Sequence, residues 1–135
     1  MNNTAIIILA AGSSSRFGST KQLLHFNKKT LLQHVIDEAI GSGAEPVIVI
    51  TGANADTIVK DIDKKQTRIV FNKKWKEGMA SGIAAGVHAA ITYNNNIEKI
   101  IFTGCDQPFI SSSLLKQFYA LTEKSVKQFV ESAYA

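Results

Sequence analysis

The chain has 135 residues, 15 Lys+Arg against 11 Asp+Glu for a formal charge of +4, 45% hydrophobic residues and one cysteine. A chain of this length buries roughly two thirds of its unfolded surface without a metal or disulfide to hold it, so residues 1–135 are expected to form a single domain. One cysteine excludes a disulfide framework and a Cys-cluster zinc site, which makes a reducing, cytoplasmic setting the default.

The first element is the apolar run Ala5–Ala11. It falls far short of the roughly 18 residues a membrane span needs, and no basic segment precedes it as in a signal peptide. Ala5–Ala10 therefore reads as a strand, followed by Pro46–Thr51, Thr67–Phe71 and Lys99–Thr103, each short, rich in Ile or Val and bounded by Gly, Asn or charge. The first two are apolar nearly throughout, as in strands covered on both faces. Helical spacing fills the intervals. Leu31, Leu32, Val35, Ile36, Ala39 and Ile40 form one stripe, with Thr30 as N-cap and Gly41 or Gly43 as the stop. Ile58, Val59 and Ile62 form a second; Ile83, Val87, Ala90 and Ile91 a third; Leu114, Leu115, Phe118 and Leu121 a fourth, after Ser111-Ser112-Ser113. Val126–Ala135 reads as a fifth strand or its beginning. Strands alternating with crossover helices predict an α/β fold: three layers around a mostly parallel sheet, with ligands at the carboxyl ends of the strands.

Three segments carry candidate chemistry. Leu9-Ala10-Ala11-Gly12-Ser13-Ser14-Ser15-Arg16-Phe17-Gly18-Ser19-Thr20-Lys21 follows the first strand directly. Small residues let the backbone approach a ligand, successive N–H groups in such a turn form an anion-binding concavity, and Arg16 and Lys21 add charge suited to a polyphosphate. The spacing is neither that of a P-loop nor that of the G-x-G-x-x-G dinucleotide fingerprint. Asn72-Lys73-Lys74-Trp75-Lys76-Glu77-Gly78-Met79-Ala80-Ser81-Gly82 comes next, where Gly78 and Gly82 leave room for a ligand ahead of a helix N-terminus. Gly86 and the neighbouring alanines permit close helix–sheet packing. The third segment, Thr103-Gly104-Cys105-Asp106-Gln107-Pro108, sets a carboxylate just after an apolar strand, a suitable ligand for magnesium.

Other chemistries find little support. Cys105 lacks a suitably placed base and reads as a small buried hydrophobe. His25, His34 and His88 have no metal-ligand spacing, and no G-x-S-x-G elbow appears. The lysine clusters Lys28-Lys29, Lys64-Lys65 and Lys73-Lys74-Lys76 read as solvated surface or as attraction for a small anion, not as a nucleic-acid face.

The pattern L-A-A-G-x-S-x-R-x-G-x-x-K over Leu9–Lys21 resembles the signature of the MobA-like nucleotidyltransferases, most closely the molybdenum cofactor cytidylyltransferases of MocA type. The Asn72–Gly82 segment and Cys105-Asp106-Gln107-Pro108 resemble two further motifs of that family, in its order. The resemblance implies a Rossmann-like topology of the GT-A, nucleotide-diphospho-sugar transferase kind. It implies transfer of CMP from CTP to a phosphorylated acceptor, molybdopterin or its metal form, with release of pyrophosphate. Ala11, giving A-A-G in place of A-G-G, points to CTP over GTP. Carried over residue by residue, Leu9, Ala10, Ala11, Gly12, Ser13, Ser14 and Ser15 would cradle the nucleotide. Arg16 and Lys21 would offset triphosphate charge, Asp106 would hold Mg2+, Asn72 and Ser81 would lie near the base or ribose, and Gly78 would give the nucleotide room against the backbone. Family members continue beyond the position of Ala135, so the acceptor-binding half of the family domain is expected to be missing. An open sheet edge then makes self-association an expectation. Two other readings share the same loop and Asp106: a non-catalytic nucleotide-binding fragment, and a sugar- or polyol-phosphate nucleotidyltransferase.

Overall fold

Residues 3–10, 25–26, 29–53, 67–105, 109–122 and 130–131 are described by the computed structural model. In chain order the elements are β1 (Thr4–Ala10), β2 (His25–Phe26), β3 (Lys29–Thr30), α1 (Leu31–Gly41), β4 (Val47–Thr51) and β5 (Thr67–Phe71). A 3-10 turn (Trp75–Glu77), α2 (Met79–Tyr93), β6 (Lys99–Gly104), α3 (Ser112–Thr122) and β7 (Val130–Glu131) complete them. The predicted helix around Ile58, Val59 and Ile62 lies outside the described residues.

The larger sheet runs β5-β4-β1-β6-β7, and all its pairings are parallel. The α/β, three-layer expectation is borne out, and side-chain alternation along β1 explains it. Ile6, Ile8 and Ala10 pack with Leu32, Val35, Ile36 and Ala39 of α1 and Leu115 of α3. Ala5 and Ile7 point the other way, into a core with Ile48, Ile50, Phe102 and Ala90 of α2. Both faces of β1 are thus dry, which is why the strand is apolar at nearly every position. From β1 the chain travels outward to β4 and β5, then reverses across the sheet to β6. Because parallel crossovers keep one hand, the reversal carries the connecting helix α2 to the opposite face. The crevice opens where direction changes, between β1 and β6, with Leu9 opposite Gly104 in register.

Local signals explain the element ends. Thr30 caps α1, its hydroxyl accepting from Gln33 N–H at 3.0 Å. The helix closes on Gly41, and Gly43 follows at φ 90°. Ser111 Oγ accepts from Leu114 N–H at 3.0 Å, beginning α3 as the serine run predicted. A second device at that terminus was not legible. Glu38 Oε1 accepts from Ser112 N–H at 2.9 Å, Ser112 Oγ donates to Glu38 O at 2.7 Å, and His34 Nε2 lies 3.0 Å from Ile110 O. His34 is therefore a packing residue, tying α1 to the segment before α3. A Cβ on Gly41 would sit 2.6 Å from Ser112 Oγ, so this approach needs glycine on α1.

Some boundaries differ from expectation. The β2–β3 antiparallel pair was not predicted, since two-residue strands carry no readable alternation. The fifth strand, expected over Val126–Ala135, is Val130–Glu131 among the described residues, paired with Ile101 and Phe102. Helix α2 starts at Met79, four residues before its first predicted apolar position, Ile83.

Two predictions follow from the packing. A Cβ on Gly86 would lie 2.6 Å from Ile7 Cγ2 and 3.4 Å from Phe102 Cε1. Gly86→Val should accordingly lower unfolding stability by about 1–3 kcal/mol in urea denaturation; an unchanged midpoint would contradict this helix–sheet contact. At the amino ends of the strands, Tyr93 Oη donates to Glu45 Oε1 at 2.6 Å, with the Arg68 guanidinium 4.7 Å from the ring centre. Donation to the carboxylate, with lesser help from desolvation and the Glu45 charge, holds the Tyr93 phenol above its ordinary value of 10.0, against the opposing pull of Arg68. A raised folded value means that this contribution to stability is fully present below the unfolded value and is lost as pH rises through the folded one. Glu45→Gln should move one of the three tyrosine transitions downward in an ultraviolet pH titration.

Candidate functional site

The carboxyl ends of β1 and β6 lie side by side, as the crevice requires. Leu9 and Ala10 sit at the end of β1, Leu9 half-buried and Ala10 fully buried in the α1 core. Ala10 is thus a packing residue in its side chain, and only its backbone can serve the loop that follows. Ala11, Gly12, Ser13, Ser14, Ser15, Arg16 and Lys21 lie outside the described residues, as does Asp106. Cys105, just before Asp106, is buried in the same core as Ala10, in keeping with a packing thiol.

Beside this crevice the segment after β5 is fully defined. Asn72 leaves the strand with its N–H donating to Thr51 O at 2.7 Å, which pins the turn to the end of β4. Its side chain makes an Asx turn, Oδ1 accepting from Lys74 N–H at 3.0 Å. The other end of the amide donates from Nδ2 to Ser81 Oγ at 2.9 Å. Ser81 Oγ in turn lies 2.8 Å from both Lys74 O and Gly78 O, a three-centre arrangement for its one proton. One amide and one hydroxyl thereby join the end of β5, the Trp75–Glu77 turn and the first turn of α2.

Gly78 is the N-cap of α2, at φ 100° and ψ −173°. That left-handed backbone disfavours any L side chain, which explains the glycine. A Cβ there would meet nothing within 4 Å, so the constraint is conformational and not steric. Gly82 differs from expectation. It was read as part of the loop, leaving space for a ligand, but it sits one turn inside α2. A Cβ on it would lie 3.5 Å from Leu9 Cδ2 and 4.0 Å from Asn72 Nδ2. A Cβ there would make ordinary contact with protein, so Gly82 faces the end of β1 from within α2.

The electrostatics of this edge favour anions. Lys73, Lys74 and Lys76 are exposed, with Glu77 the single acid among them, and the Lys76 ammonium lies 5.5 Å from the centre of the Trp75 ring. The uncapped N-terminus of α2 adds its partial positive charge. Phe71, Met79 and Phe109 are exposed on segments at this same end of the sheet, offering apolar surface. Trp75, which the sequence sets inside the Lys73-Lys74-Lys76 cluster, is half-buried in the turn. Among the described residues no three His, Cys, Asp or Glu side chains converge to hold a metal ion. No helix among the described residues is long and apolar enough to cross a membrane.

The chain is 33% identical over 106 residues to a protein named nicotine blue oxidoreductase from Paenarthrobacter nicotinovorans, covering 78% of this chain and 50% of that one. It is 28% identical over 116 residues to a molybdenum cofactor guanylyltransferase from Vibrio campbellii, covering 85% and 54%. It thus spans about half the length of these curated relatives. Among solved structures it shares its fold with Rv0371c of Mycobacterium tuberculosis, determined in complex with manganese, at a TM-score of 0.68 and 23% identity, covering 87% of this chain and 58% of that one. Residues 6–134 match the MobA-like NTP transferase domain, and the chain belongs to that family.

Proposed function

We propose that this chain carries the nucleotide-binding portion of a nucleotidyltransferase, which transfers a nucleoside monophosphate from a nucleoside triphosphate to a phosphorylated acceptor. The observation that carries this reading is the adjacency of β1 and β6 at the switch point, Leu9 opposite Gly104. It brings the chain entering the Gly12–Lys21 segment next to the chain entering Asp106.

An ionised phosphate oxygen of the acceptor attacks the α-phosphorus. A new P–O bond forms as the bond to the β-phosphate bridging oxygen breaks, and pyrophosphate leaves with that electron pair. The attacking oxygen carries no proton, so the site needs no general base. Its work is alignment and neutralisation of charge. In this reading the backbone of Gly12–Ser15 cradles phosphates, and Arg16 and Lys21 offset charge on the triphosphate and the leaving group. Gly78 gives the segment flanking the base and ribose its sharp entry into α2, and the Asn72–Ser81 bond spans that segment. A divalent cation on Asp106, magnesium in the simplest case, would supply further charge neutralisation at the phosphate oxygens.

The finer reading, CMP from CTP onto molybdopterin, rests on Ala11. The guanylyltransferase relatives weigh against CTP over GTP, so the base is decided by comparing the two nucleotides. Nucleotide binding without turnover, and transfer to a sugar or polyol phosphate, share the same triphosphate site. They are separated by pyrophosphate release with each acceptor.

Calorimetric titration with CTP and GTP, with and without magnesium, is the direct test. Saturable, magnesium-dependent binding of either nucleotide is expected, and absence of binding to both overturns the proposal. Lys21→Ala should weaken triphosphate binding about tenfold or more, in keeping with loss of a charge-assisted contact. Asp106→Ala should remove the magnesium dependence. Unchanged binding in both variants would refute the site assignment.

A further inference from the structure

The Asn72 side chain is turned into the protein. The residue is 6% exposed, its amide lies over Gly82 beside Leu9, and both its oxygen and its nitrogen bond within the chain, to Lys74 N–H and Ser81 Oγ. Ser81 Oγ is surrounded by Asn72 Nδ2, Lys74 O and Gly78 O. Groups bonded in this way are poor candidates for direct contact with a base or ribose, the role their place in the sequence suggests.

We infer that Asn72 and Ser81 are positioning residues, an amide–hydroxyl pair that holds the Trp75 turn and the first turn of α2 in one fixed arrangement against the ends of β4 and β5. The pair closes a ring. Asn72 N–H is fixed on Thr51 O, Asn72 Oδ1 bends the chain at Lys74, and Ser81 Oγ draws the Lys74 and Gly78 carbonyls together. Gly78, at positive φ with nothing near its Cβ position, has no side chain to hold it, so the ring fixes the angle at which α2 begins. This rests on the nucleotide-binding reading above for its purpose, but not for its geometry. A preformed loop lowers the ordering cost of binding, so the pair contributes to affinity without touching the ligand.

The test uses the full chain with Ser81→Ala and Ser81→Thr, and reads two quantities. Amide hydrogen exchange at Lys74, measured relative to Ile7 in the same protein, reports the turn without any ligand. Calorimetry reports CTP and GTP affinity. The expected result is that Ser81→Ala lowers relative protection at Lys74 about tenfold and weakens both nucleotides by a similar factor, while Ser81→Thr, which keeps the hydroxyl, restores both. A merely structural effect would lower protection at Ile7 in proportion and leave the ratio unchanged, which overturns the inference. Unchanged Lys74 protection with weakened binding would make Ser81 a direct contact, and also overturns it. Lowered protection with unaltered affinity overturns the link to binding. If the unaltered chain binds neither nucleotide, the proposed function fails by itself, and exchange at Lys74 still decides whether the pair holds the turn.

Discussion

The whole architecture depends on β1 being apolar on both of its faces. A strand with one wet face can close a two-layer fold, but Ile6 and Ile8 on one side and Ala5 and Ile7 on the other all exclude water. Each face therefore demands its own helical cover. Parallel neighbours on both edges then follow, since β4 and β6 both reach β1 through crossovers that deliver those helices. The chain reaches β4 on its way outward from β1 and β6 on its return, so the order in which the sheet is built brings the carboxyl ends of β1 and β6 side by side.

Glycine acts in three distinct ways around that strand. Gly86 removes a Cβ that would collide with Ile7, letting α2 lie close against the sheet. Gly82 faces Leu9 at a distance where a Cβ would make ordinary contact, and Gly78 supplies a backbone conformation with open space around it. The first two face the sheet and the third sets the loop shape. Gly82 and Gly86 lie four residues apart within α2, which presents residues at that spacing to nearly the same face.

Much of this was legible in the sequence because it depends on local or periodic signals. The four main strands announced themselves as short Ile/Val runs, and α1 through Thr30 and its stripe. The start of α2 was misplaced because Met79, Ala80, Ser81 and Gly82 are not an apolar stripe; the helix begins there on account of Gly78 and the Asn72–Ser81 bond. That bond joins residues nine positions apart and has no periodicity. The Glu38–Ser112 and His34–Ile110 contacts span 74 and 76 positions and were equally invisible. For the site, the sequence pointed to three segments, and the structure adds that the Asn72 and Ser81 side chains bond to each other and to the chain around them. The Gly12–Lys21 segment and Asp106 remain sequence readings, anchored by where their flanking strands end.

The two ends of the sheet are built differently, and the difference bears on function. At the amino ends, polar groups are matched across elements. Glu45 N–H donates to Thr4 O, Ile6 N–H to Pro46 O, and Tyr93 of α2 reaches Glu45 while Arg68 of β5 lies on its ring. The carboxyl end has its own polar ring at Asn72 and Ser81, but that ring faces inward and leaves exposed lysines, an uncapped helix N-terminus and bare apolar side chains outside it. A surface serving stability alone gains nothing from collecting positive charge around a positive helix end, since like charges there repel. An anion brought to that edge would relieve the repulsion. Among the described residues of this edge Lys73, Lys74 and Lys76 stand against Glu77 alone, and that imbalance is the electrostatic support for the polyphosphate reading proposed above.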